Sequence, residues 1–227
     1  MTDAIERISI KEKIGYGLGD MAANFIFQTW LFFQLSFYTD TFGLTAAAAG
    51  TLFLVASVGG SFFDPIMGII ADRTTTKWGK FRPWIIWTAL PFGIMGVLAF
   101  TTPNLGPTGK LVYAYVTYIL LTAIYSVNNV PYSALSGVIT GNLSDRTSLL
   151  SYRQVFANSA AFIVGGLAIP MLNYFGQGDR AKGYQMTMGL FSILCVIFFV
   201  ITFVTTKERI QPDPSQKSSP KQDIVDL

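Results

Sequence analysis

The chain has 227 residues, 51% hydrophobic and 13% charged, with a mean hydropathy of +0.46 and a formal net charge of +3. Soluble domains carry about a quarter charged residues, so this composition excludes an ordinary water-soluble domain and points to a bilayer as the solvent. The single cysteine, Cys195, excludes an internal disulfide, and the lack of histidine excludes His-based zinc sites and imidazole proton relays, leaving carboxylates to carry any proton or cation chemistry.

A helix needs roughly 20 apolar residues to cross a hydrocarbon core of about 30 Å. Six segments meet that length, at 14–38, 45–71, 84–102, 111–137, 149–174 and 184–205. The expected fold class is therefore all-α, a polytopic membrane protein with a six-helix transmembrane bundle in 1–209. Residues 210–227, with Pro212, Pro214 and Pro220 in a Ser/Lys/Gln-rich setting, read as a cytoplasmic linker or tail. A soluble helical protein would pair its apolar stripes with charged faces, whereas 190–204 carries no charge on any side. A cleaved signal peptide is disfavoured because the small residues 46–49 fall beyond the usual cleavage window, after a segment already long enough to span.

Lys and Arg set the orientation, because cytoplasmic loops retain positive charge. Thirteen of the sixteen fall at the N-terminus, between spans two and three, around the start of span five, or in the tail; only Lys110, Arg180 and Lys182 fall on the other side. Both termini are thus expected in the cytoplasm, and the basic balance reflects topology and not a nucleic-acid partner.

Taken in chain order, four spans carry a polar stripe at helical spacing. Span one has Asp20, Asn24 and Gln28; span two has Ser57, Ser61, Asp64 and Gly68; span four has Tyr118, Thr122, Tyr125 and Asn129; span five has Ser151, Gln154, Asn158 and Gly165. Spans three and six are almost wholly apolar and are expected to face lipid. Intramembrane polar groups are costly unless they meet a partner or a watery cavity, so a shared cavity is one reading and interhelical hydrogen bonding the other. A three-helix inverted repeat would divide the chain at 103–110, although no internal sequence identity marks it.

Gly68-Ile-Ile-Ala-Asp72-Arg73, continuing through Trp78-Gly79-Lys80-Phe81-Arg82-Pro83-Trp84, resembles the loop between helices two and three of the major facilitator superfamily. The resemblance implies a gating loop in which Asp72, Arg73, Lys80 and Arg82 form a charge network closing the cytoplasmic face. Lys11 through Asp20, with its Gly15-Tyr16-Gly17-Leu18-Gly19 core, together with Phe37-Tyr-Thr-Asp40, Asp64-Pro-Ile-Met-Gly68 and Asn129-Val-Pro-Tyr132, is similar to the glycoside-pentoside-hexuronide:cation symporters over about 11–209.

That resemblance implies the N-terminal half of a melibiose- or glucuronide-permease-like transporter lacking its C-terminal six helices, and a small sugar as substrate. It implies no cofactor beyond a coupling ion, H⁺ or Na⁺. Asp64 matches one carboxylate of the family's helix-two cation pair; the other falls on Gly60 and the nearby Arg on Ser57, which favours H⁺ coupling through Asp64 or Asp20. The acidic sugar ligands of the melibiose branch fall on Asn24 and Asn129 and its stacking Trp on Ser133, while Tyr125 matches an aromatic near the site. Arg153 and Gln154 complete the expected substrate-binding set, Arg153 as a partner for hydroxyls or a uronate carboxylate. A truncated, non-transporting membrane binding or scaffold protein is the alternative. An intramembrane enzyme lacks any nucleophile–base or metal-ligand constellation.

Overall fold

The computed structural model describes residues 7–210; of the expected linker at 210–227, all but its first residue lies outside the described residues. The described residues form six α-helices: α1 (Ile10–Ser36), α2 (Ala46–Arg73), α3 (Arg82–Ala99), α4 (Pro107–Ile139), α5 (Leu143–Gly176) and α6 (Arg180–Thr205). Each of the six expected segments falls on one helix. Five of these, α2 to α6, are long and apolar enough to cross a membrane. α1 has the length, at 27 residues, but Lys11, Glu12, Lys13, Asp20, Asn24, Gln28 and Gln34 lower its apolarity.

Local chemistry sets most of the helix ends. Ser9, Thr45, Asn142 and Asp179 place side-chain oxygens on the free N–H groups that open α1, α2, α5 and α6. Pro83 and Pro107 sit in the first turns of α3 and α4, where a missing N–H costs nothing. The first segment was expected to be helical to Tyr38. Instead α1 ends at Ser36 and widens into a π-helical turn, Phe37–Phe42, closed by Gly43 in the left-handed region at φ 87°.

α1 is the central helix, packed on α5 and α6, while α3 packs on α4 and α6, and α2 leans mainly on α4. The alternating glycines of α1 explain how three neighbours approach it so closely. A Cβ on Gly15 would lie 1.8 Å from Thr205 Oγ1 of α6, one on Gly17 would lie 2.5 Å from Phe156 of α5, and one on Gly19 would lie 2.6 Å from the Tyr132 ring of α4. The Thr202 hydroxyl uses the space to donate to the Gly15 carbonyl at 2.8 Å. This is small-residue packing with hydrogen bonds across it, the means of helix association that lipid leaves available.

α3 and α6 turn buried faces inward, with Phe92, Phe191, Cys195 and Phe199 in the core, and present apolar residues such as Leu90, Ile94, Ile193, Ile197 and Val204 outward. Their lack of a polar stripe thus goes with packing on one side and an apolar surface on the other.

Candidate functional site in the cleft of α1, α2, α4 and α5

The polar stripe of α1 meets α5 through one ion pair. Arg153 Nε donates to Asp20 Oδ2 at 3.0 Å, with side chains 24% and 13% exposed. Arg153 also lies with its guanidinium 5.0 Å over the ring of Tyr132. That ring stacks on Tyr16 at 4.7 Å, and the two tyrosines exchange hydrogen bonds, each hydroxyl donating to the other's backbone carbonyl. Asp20, Tyr16, Tyr132 and Arg153 therefore clamp α1, α4 and α5 together. The charge is held at the cleft wall by an opposite charge and a π-face.

Farther along α1, Asn24 donates its amide to the Asp20 carbonyl at 2.8 Å and accepts from Gln28 Nε2 at 3.1 Å. On α4, Asn129 Nδ2 donates to the Tyr125 hydroxyl at 2.8 Å, and its oxygen faces the Ser133 hydroxyl at 3.4 Å. Tyr125 anchors an aromatic cluster: it stacks on Phe27 at 5.0 Å and meets Trp30 edge-on, and Trp30 packs in turn on Tyr118 at 5.0 Å. An aromatic platform beside a few oriented amides is the composition of a small-molecule site.

α2 packs on α4. Asp64 is exposed and takes part in no ion pair among the described residues. Gly60, one turn before Asp64, leaves room toward Thr122 of α4. On α5, Gln154 donates to Asn158 at 3.1 Å. Asn158 lines an open groove of about 640 Å³ with Phe32, Phe162, Gly165 and Gly166. The structure thus pairs Asp20 with Arg153 and Asn129 with Tyr125, with Asn24 bonded to the Asp20 carbonyl. Asp64 and Gln154 are exposed.

The loop joining α2 to α3 divides its charges. Asp72 pairs with Lys80 at 3.6 Å, an exposed contact, whereas Arg82 reaches the end of α6, where it bonds the Phe203 carbonyl and covers the Phe203 ring at 4.8 Å. Arg73 is exposed at the end of α2.

Sequence reasoning missed the acids that organise this face. The Glu208 carboxylate accepts the backbone N–H groups of Lys80, Phe81 and Arg82 at 2.8 to 2.9 Å, capping α3 from the far end of the chain. Gly79, at φ 112°, makes room for it, since a Cβ there would lie 2.3 Å from the Glu208 carboxyl carbon. Buried Glu12 holds Arg209 bidentately at 2.8 Å twice and takes the Lys207 N–H at 3.0 Å. The signal available in the sequence was a lone acid amid basic neighbours at the start of the first span and at the end of the last, Glu12 and Glu208. At the start of α5, Asp145 receives Lys13 Nζ at 3.2 Å, and that hydrogen bond holds its carboxyl below the usual carboxylate value.

A family profile described as MFS/sugar transport protein matches residues 15–225. The chain belongs to that family. It is 44% identical over 222 residues to the inner membrane symporter YicJ of Escherichia coli, covering 98% of this chain and 48% of that protein. It is 44% identical over 218 residues to the putative glycoside/cation symporter YagG of the same organism, covering 96% and 47%. It is 40% identical over 211 residues to the isoprimeverose transporter of Lactiplantibacillus pentosus, covering 92% and 44%. The chain spans about half the length of these relatives. The family and these relatives are transporters, which points to a transporter and not to an enzyme.

Proposed function

We propose that this chain forms the N-terminal six-span half of a sugar:cation symporter, with both ends cytoplasmic in a bacterial inner membrane, and that it moves a small glycoside, pentoside or hexuronide by alternating access. The observation that supports the proposal is the polar and aromatic network in which Asp20 pairs with Arg153, Asn129 bonds Tyr125, and Tyr125 stacks on Phe27. Asn24, Asn129, Tyr125 and Gln154 supply donors and acceptors for sugar hydroxyls, and Phe27, Trp30 and Tyr125 supply an aromatic face. Asp64 carries the coupling role, with Asp20 the second acid of the cleft. Gly60 in place of a second helix-two carboxylate favours H⁺ over Na⁺, since a hard cation requires several oxygen ligands.

Six helices offer one wall of such a site; a complementary six-helix half supplies the other. The test is uptake of radiolabelled sugars into vesicles containing this chain co-expressed with a six-helix complement, under imposed pH or Na⁺ gradients. Accumulation driven by the pH gradient is expected. Uptake indifferent to both gradients would remove symport, and no uptake of any sugar with a correctly inserted complement would leave a binding or scaffold protein.

A further inference from the structure

The charge pattern of the cleft narrows the class of sugar it takes. Among the described residues Arg153 is the cation that stands inside the cleft; the other Lys and Arg lie near helix ends or in loops. Its Nε is bonded to Asp20 at 3.0 Å and its guanidinium is covered by the Tyr132 ring, so its charge is compensated and one face is closed. The neighbouring polar groups are uncharged amides and a phenol, and the further carboxylate, Asp64, lies exposed on α2. A ligand carboxylate would meet two acids and one base already paired, and repulsion between like charges grows as the surroundings lose water. An uncharged sugar needs only hydroxyl partners and an aromatic face, and both are present.

Resting on the sugar-transport reading above, we infer that the cleft selects uncharged glycosides over hexuronates and that the Asp20–Arg153 pair is the determinant. With Asp20 in place the guanidinium charge is compensated and its Nε is engaged, so a sugar carboxylate gains little from it. With Asp20 neutralised, the same planar fork becomes a bidentate carboxylate receptor at the cleft wall.

The test uses matched probes that differ only at C6: methyl glucoside against methyl glucuronide, and methyl galactoside against methyl galacturonide. Binding is read by saturation-transfer NMR on the whole 227-residue chain, co-assembled with a six-helix complement, in lipid nanodiscs at neutral pH. In the unaltered chain the uncharged member of at least one pair binds tighter by about tenfold or more. Asp20→Asn shifts that ratio toward the uronate by about tenfold, and Asp20→Glu, which keeps the pair, leaves it in place. Asp64→Asn, which removes the unpaired acid without touching the clamp, shifts the ratio the same way and serves if Asp20→Asn does not fold. A uronate that binds the unaltered chain as well as its uncharged partner overturns the selectivity alone, and an unchanged ratio in folded Asp20→Asn overturns the role of the pair. Failure of all four probes to bind overturns the sugar-site reading together with it.

Discussion

Arg153 is held by one carboxylate and one aromatic face, and each partner has a measurable share. Removing the base by Arg153→Ala leaves Asp20 partly buried beside Tyr16 and Tyr132 without compensation. For a pair that is neither fully dry nor exposed, about 2 kcal/mol of stability is lost, between the values for surface and buried pairs. Thermal unfolding in detergent or nanodiscs reads this, and the charge-swapped double variant, Asp20→Arg with Arg153→Asp, recovers part of it. A midpoint unchanged in Arg153→Ala would mean that the pair contributes nothing. Asn129→Ala removes the amide that bonds the Tyr125 hydroxyl and that the proposed site offers to a sugar hydroxyl. A single hydrogen bond is worth about 1 kcal/mol, so sugar binding weakens about fivefold; an unaltered binding isotherm would take Asn129 out of the site.

At the scale of elements, two contacts hold the helix ends in register. Glu208 takes three N–H groups at the start of α3, and Glu208→Ala exposes them at a cost of about 1–2 kcal/mol, the range of a lost helix cap. Hydrogen exchange at Lys80, Phe81 and Arg82 should accelerate in that variant, and unchanged protection would show the cap to be dispensable. The Lys13–Asp145 contact ties α1 to α5 and makes stability depend on pH. A carboxyl lowered in the folded state adds stability above its unfolded value of about 3.9, and that contribution disappears as pH falls through the lower folded value. The difference in unfolding midpoint between the unaltered chain and Asp145→Asn is therefore expected at neutral pH and should close on acidification below pH 4 or so. A difference that grows in acid would reverse the assignment.

The six helices, their order and the four polar stripes were legible in the sequence because bilayer length and helical spacing are local properties that 20 residues suffice to display. The glycines at 15, 17 and 19 were legible as a motif but not as a mechanism, since each accommodates a different neighbour, Thr205, Phe156 and Tyr132, and no local pattern states which. Asp20 and Arg153 were both singled out but assigned to different tasks. Their pairing joins residues 133 positions apart, and spacing cannot show a contact of that range. Glu12 and Glu208 went unread for the same reason, their partners lying 195 and more than 120 positions away.

For the whole molecule, the central requirement is that α1, α2, α4 and α5 enclose one water-accessible cleft while α3 and α6 shield it from lipid. Cys195 is buried, so a Cys195→Ser background silences the native thiol with little change of volume. Single cysteines at Asn24, Asp64, Asn129 and Gln154, with Ile94 and Ile197 as outward-facing controls, would then be exposed to a membrane-impermeant maleimide in vesicles. Fast labelling at the four cleft positions, slowed by a bound sugar, and none at the two controls is the expected result. Equal resistance of cleft and control positions, or labelling that sugar never slows, would contradict a shared aqueous site.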